Sequence, residues 1–297
     1  MSDINNPIIL VGNVRSGTTM TSLVFGEFDN MVVWDEPRTV WTMGNAERGH
    51  DRFTADLATP KVIDRIRKAF VKYQRAHGGR RVMEKTPSNC LRVPFITKVV
   101  PEAKFIHLVR DGRDNVSSCL RWWTMPINRS RTWRRLKETP VWEWPRYVPR
   151  FLHDRLGHTL GLVKTVRSWG VVYPEMYADL KRMRLEEVIA TQWVRCVETA
   201  EADFAQVDPD LWIQCRYEDF VASPMEHVER YAAHTGLTIT PRVREYVRRT
   251  IHQDAMQVWR TRLTPEQIAN ITPILKPTMD RLGYRLDEPA MPIRSTG

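Results

Sequence analysis

The chain of 297 residues is short of the features that mark secreted, metal-bound or membrane-spanning proteins. Its four cysteines, Cys90, Cys119, Cys196 and Cys215, are scattered and form no CxxC pair, which excludes a disulfide framework or a cysteine-based zinc site. Histidine and acidic residues show no ligand spacing, so no resident metal is expected. No apolar run approaches the ~18 residues that span a bilayer. The opening Met-Ser-Asp-Ile-Asn-Asn-Pro lacks a basic, then apolar, leader. A reducing cytoplasm is therefore the expected location. Acidic charge is also in deficit: 35 Asp and Glu stand against 45 Lys and Arg, a formal net charge of +10. That balance favours an anionic partner (a nucleotide, an acidic substrate, nucleic acid or a membrane surface) without choosing among them.

One further absence is local. Residues 12–19, Gly-Asn-Val-Arg-Ser-Gly-Thr-Thr, follow the apolar run Ile8-Ile9-Leu10-Val11 with the Gly-x4-Gly spacing of a phosphate-binding loop. The lysine that normally follows the second glycine is replaced by Thr18. Backbone N–H groups and a helix start can still cradle an anion there, but the cation that grips a triphosphate tail is missing.

What is present reads as an α/β chain. Short apolar runs at 8–12, 31–34, 81–84, 104–109 and 211–216 alternate with helical patterns at 17–28, 60–76, 90–99, 112–123 and 185–206, the rhythm of βαβ units with a parallel sheet. Thr59 and Pro60 open the second helix and Gly78 stops it. Ser223-x-x-Glu226 and Thr264-x-x-Gln267 read as capping boxes. Pro273 and Pro277 are expected to break the helix that the second one opens. Residues 121–150 stand apart, with five of the eleven tryptophans, four prolines and seven arginines. This stretch reads either as an elaboration over the acceptor site or as a solvated basic excursion.

Four short segments carry chemistry. The loop at 12–19 contributes Arg15, Ser16, Gly17, Thr18 and Thr19 as anion ligands. The strand 104–109 ends in Arg110, turns at Gly112, and presents Ser118 eight residues later, enough for a second phosphate; strand C-termini are where open α/β sheets bind ligands. The strand 81–84 delivers Lys85, suited to neutralising a transferring group or a leaving oxygen. Trp34-Asp35-Glu36-Pro37-Arg38 follows the second strand and offers a carboxylate base. His107, inside an apolar strand, reads as a core residue.

Together these segments resemble the sulfotransferases that use 3′-phosphoadenosine 5′-phosphosulfate (PAPS), over most of the chain. Arg15-Ser16-Gly17-Thr18-Thr19 matches the family's 5′-phosphosulfate loop, and Arg110 with Ser118 its 3′-phosphate site. Arg216-Tyr217-Glu218-Asp219 is similar to the segment whose tyrosine, here Tyr217, lies near the adenine. Trp259-Arg260 corresponds loosely to the C-terminal element that closes over the nucleotide. The Lys-Thr-His of the cytosolic phenol and steroid enzymes, whose histidine is the base, is here Lys85-Thr86-Pro87. The form Glu-Lys-Thr-Pro is closer to the heparan sulfate and tyrosylprotein branches, which use a glutamate at the spacing of Glu36; Asp35 is the competing candidate. The resemblance implies a P-loop-type three-layer fold, a central parallel sheet flanked by helices, formed by one domain over 1–297 with an insertion at about 121–183. It implies a soluble bacterial enzyme that moves the sulfuryl group of PAPS to an acceptor hydroxyl (carbohydrate, glycolipid, natural product or peptide tyrosine) without a metal. Glu36 would be the base, and Lys85 and Arg15 would stabilise developing charge. Two other readings are a P-loop kinase or nucleotidase, which needs the missing lysine, and a basic nucleic-acid-binding protein, which leaves the paired anion sites unexplained.

Overall fold

A computed structural model describes residues 4–123, 170–252 and 256–284. Five strands, β1 (Ile8–Val11), β2 (Met31–Asp35), β3 (Arg81–Lys85), β4 (Lys104–Val109) and β5 (Trp212–Arg216), form one sheet in the order β2-β3-β1-β4-β5, with every pairing parallel. The central strands are apolar at successive positions because both faces are covered. Ile8 and Leu10 point into one core with Val24, Phe25 and Phe220, while Ile9 and Val11 point into the other with Ile96, Phe105 and Trp193. His107 is buried among the second set, beside the Phe204 ring.

The helices are α1 (Thr18–Gly26), α2 (Arg38–Trp41), α3 (Pro60–Ala76), α4 (Val93–Val99), α5 (Gly112–Trp123), α6 (Met176–Arg182), α7 (Leu185–Phe204), α8 (Tyr217–Ala222), α9 (Pro224–Thr235), α10 (Pro241–Thr250), α11 (Trp259–Arg262) and α12 (Pro265–Arg281). Three sequence expectations need correction. The helix foreseen at 90–99 is a 3₁₀ turn over Pro87–Leu91 followed by α4. Ser223 makes no side-chain cap on α9, whereas Thr264 and Gln267 do form the reciprocal capping box on α12. Helix α12 also runs through Pro273 and Pro277 without a break. The two prolines lie four apart on its exposed face, where water can solvate the carbonyls they leave free, and Ile271, Leu275 and Met279 anchor the opposite face in the core.

The segment at 121–150, with most of the foreseen insertion, lies outside the described residues. The described ends of that insertion belong to the core: Trp123 closes α5, and Val171, Tyr173 and Met176 are buried.

Strand order places the site. From β1 the chain turns toward β2 on one side, whereas from β3 it crosses to β4 on the other, so β1 and β4 flank the switch point where open sheets bind ligands. Register aligns the strand ends: Asp35 pairs with Lys85, Leu10 with Lys85, Val11 with His107, and Val109 with Arg216. The segments beginning at Gly12, Glu36, Thr86, Arg110 and Tyr217 therefore leave the sheet along one edge.

Candidate active site

The loop after β1 is held open by its backbone. Arg15 and Gly17 take left-handed conformations at φ 64° and 87°, so neighbouring N–H groups turn toward a common concavity. Gly17 is also required sterically, since a Cβ there would lie 2.3 Å from Cδ2 of Tyr217. Helix α1 has Gly17 as its N-cap and so no side-chain cap, which leaves the first-turn N–H groups available to an anion. Asn115 of α5 fixes the loop's shape: its Nδ2 donates to the Val14 carbonyl at 2.7 Å and to Ser16 Oγ at 3.3 Å, and its Oδ1 accepts from Asn13 at 3.3 Å.

On the β3 side of the loop lies Lys85, its side chain only 4% exposed. Its ammonium is 2.6 Å from Asp35 Oδ1, 3.5 Å from Glu36 Oε1, and donates to Thr19 Oγ1 at 3.4 Å. Glu36 is also left-handed, at φ 54°, and its N–H donates to the Lys85 carbonyl at 2.8 Å. Its carboxylate is held by Arg38 at 3.2 Å, while another arm of Arg38 reaches the Gly170 carbonyl at 3.4 Å. Asp35 is the more exposed of the two acids, 53% against 28%, and forms the shorter contact with Lys85. Beneath them Glu84 is fully buried, accepting from Thr86 Oγ1 at 2.5 Å and Asn89 Nδ2 at 2.7 Å. Burial raises its pKa, and those donors work against the shift.

On the β4 side Arg110 and Ser118 meet as their spacing foresees, in a pocket of about 250 Å³ lined also by Arg15, Arg121, Trp122, Val258 and Arg262. Arg15 belongs to this side. Its Nε donates to Ser118 Oγ at 2.8 Å and its guanidinium lies 5.3 Å over the Trp122 ring, so it points away from Lys85. Arg110 donates to the Arg15 carbonyl at 3.0 Å and stacks 4.6 Å over Tyr217. Tyr217, the first residue of α8, is buried against Gly17, and burial raises its pKa while Arg110 opposes the rise.

Trp259 and Arg260 do not line the pocket. Trp259 is buried with its ring 4.4 Å from the Arg113 guanidinium, and Arg260 lies over the same ring. The C-terminal residues that reach the pocket are Val258 and Arg262. The nucleotide ligands named from sequence do not include Arg121, Trp122 or Arg262, although the first two open the Trp- and Arg-rich stretch set apart at 121–150. The first two follow Ser118 at i+3 and i+4, so helical spacing alone put them on its face; no comparable signal pointed to Arg262. Among the described residues no cluster of His, Cys, Asp or Glu is arranged to hold a metal.

Residues 7–183 match the family model described as "Sulfotransferase family". Carbohydrate sulfotransferase 2 of Homo sapiens is 28% identical over 218 residues, covering 66% of this chain and 38% of its own length. Omega-hydroxy-beta-dihydromenaquinone-9 sulfotransferase of Mycobacterium bovis is 25% identical over 207 residues, covering 68% of this chain and 41% of its own. The chain thus spans less than half the length of these relatives. Among solved structures, the sulfotransferase domain from the curacin biosynthetic pathway superposes with a TM-score of 0.57 at 14% identity, covering 96% of this chain and 100% of that domain.

Proposed function

We propose that this chain, which belongs to the sulfotransferase family, transfers the sulfuryl group of PAPS to an acceptor hydroxyl, with Glu36 as general base. The observation that carries this reading is the pair of cationic sites on either side of one loop. Lys85, Thr19 and the uncapped start of α1 form one; the pocket of Arg110, Ser118, Arg15, Arg121 and Arg262 forms the other. A ligand with one anionic group at each end fits that division, as a nucleotide bearing a 5′-phosphosulfate and a 3′-phosphate does. A triphosphate tail would crowd all its charge on the first site, where Thr18 stands in place of lysine.

The chemistry asks little of the protein beyond position and charge. The acceptor oxygen forms a bond to sulfur as the bond from sulfur to the 5′-phosphate oxygen breaks, and the hydroxyl proton passes to a carboxylate. Glu36 suits that role better than Asp35. It is the less exposed acid, and Arg38 orients it, whereas Asp35 is engaged by Lys85 at 2.6 Å. Lys85, Thr19 and the loop N–H groups stabilise charge on the sulfuryl and leaving oxygens, an electrostatic contribution in place before the reaction begins. The relatives named for carbohydrate and menaquinone-derived acceptors support a hydroxyl on a sugar or a lipid-soluble alcohol; a natural product or a peptide tyrosine has the same reacting group.

Thermal unfolding tests the donor assignment. PAP, the desulfated product, should raise Tm in the absence of magnesium and Mg·ATP should not; the reverse pattern would establish the kinase reading. A screen of hydroxyl acceptors with labelled PAPS then tests transfer. Glu36→Gln should bind PAP like the wild type and lose turnover, and retained turnover would transfer the base role to Asp35.

A further inference from the structure

Asp114 sits in the first turn of α5, is 1% exposed, and lies 3.8 Å from Arg110 of the pocket. Both of its carboxylate oxygens are spent on a distant part of the chain. Oδ2 accepts from the Gln257 N–H at 2.7 Å and Oδ1 from the Trp259 N–H at 3.0 Å. Gln257 needs such a partner, because its backbone is left-handed at φ 54°, a conformation that a non-glycine residue keeps only where its surroundings hold it. Next to this turn, Trp259 lies on the Arg113 guanidinium at 4.4 Å. The result is a short strap, 257–262, fastened to α5 at its first residues and presenting Val258 and Arg262 to the pocket wall. Oδ2 also lies 3.8 Å from Arg110 Nη2, so a single carboxylate joins the strap to another cation of the same pocket.

We infer that Asp114 is a positioning residue for the anionic end of the nucleotide: it acts through Arg262, by fastening the turn that brings this guanidinium opposite Arg110 and Ser118. Burying a carboxylate is costly unless its hydrogen bonds are satisfied, and here two strap N–H groups and Arg110 satisfy it. Releasing the strap would leave a buried charge short of donors. An anion that pairs with Arg262 makes release costlier still. By linkage the effect is reciprocal, and the same fastening tightens the anion. Asp114 thus has a function that a simple helix-start ion pair would not supply. This inference rests on the reading of the pocket as the 3′-phosphate site.

The test measures PAP affinity by calorimetry and amide exchange of 257–263 by mass spectrometry on the full chain. In the wild type, PAP should slow exchange of those amides. Asp114→Asn removes one acceptor oxygen, and should weaken PAP about tenfold and abolish the PAP-dependent protection. Arg262→Ala, at an exposed position that does not threaten folding, should weaken PAP by a similar factor. The decisive measurement is the double variant: if Asp114 acts by placing Arg262, Asp114→Asn should cost little more in the Arg262→Ala background. Fully additive losses, or an Asp114→Asn chain with wild-type affinity, would overturn the inference while leaving the nucleotide reading intact. If Asp114→Asn fails to fold, the wild-type exchange experiment decides, and an unprotected strap counts against the inference. A wild-type chain that does not bind PAP at all would instead remove the reading on which it rests.

Discussion

Two of the four non-glycine residues with positive φ among the described residues, Arg15 and Glu36, lie with Gly17 at the C-terminal edge of the sheet, at φ 64°, 54° and 87°. For Arg15 and Glu36 the side chain is retained despite the strain, as expected where function needs a particular group at a tight turn. At Gly17 a side chain would be strained, because φ is 87°, and would collide with the Tyr217 ring, which occupies the space a Cβ would fill. Gly17→Ala should therefore push Tyr217 aside, lower stability by roughly 1–3 kcal/mol, and reduce PAP affinity at least tenfold. Calorimetric titration together with chemical denaturation checks both effects. The sequence made Gly17 legible through its spacing from Gly12. It could not show that the reason includes an aromatic ring two hundred residues further on. Likewise it paired Arg110 with Ser118 correctly in space, since both lie on one strand–turn–helix unit, but placed Arg15 toward the sulfuryl end, whereas the guanidinium turns to Ser118.

Helix α12 shows how an element overrides a local rule. Two interior prolines predict a break, yet the helix persists because its buried stripe is held against α7 and the defects face water. The penalty is nonetheless present, so removing one defect should stabilise the fold. Pro273→Ala restores an N–H opposite the Ala269 carbonyl and should raise unfolding free energy by roughly 1–3 kcal/mol, up to the full difference between Pro and Ala in a helix interior. A higher denaturation midpoint with an unchanged m-value would verify this; an unchanged midpoint would mean that tertiary contacts already absorb the strain. Helix α5 illustrates the complementary case. Its spacing sets Asp114, Asn115, Ser118, Arg121 and Trp122 along one face, on which Asn115 meets the loop, Asp114 the strap and the other three the pocket.

At the scale of the whole molecule, acid sensitivity follows from the core. Burial lowers the pKa of His107 from 6.5 to about 4, with a hydrogen bond to Gln214 acting in the other direction. The folded state therefore resists a proton that the unfolded chain accepts, so stability is lost as pH falls from 6.5 toward 4 and levels off below. At ~1.4 kcal/mol per pH unit, His107 alone should remove about 2 kcal/mol between pH 7 and pH 5. Glu84, Asp114 and Glu218 have pKa values raised by burial and oppose this trend, so the contribution of His107 is isolated by comparison with His107→Leu. The stability difference between the two proteins should shift by about 2 kcal/mol in favour of the leucine variant over that range; a constant difference would show that His107 titrates normally. The five strands, the loop at 12–19, the Arg110–Ser118 spacing and the burial of His107 were determined by the sequence itself, because each depends on local periodicity and short spacing. Which groups share a wall was decided only by the tertiary structure. Parallel crossovers bring Lys85 beside Asp35 and Glu36, and Asp114 holds the turn at 257–259 next to Val258 and Arg262 of the Arg110 pocket; contacts of such sequence separation leave no periodic trace in the chain.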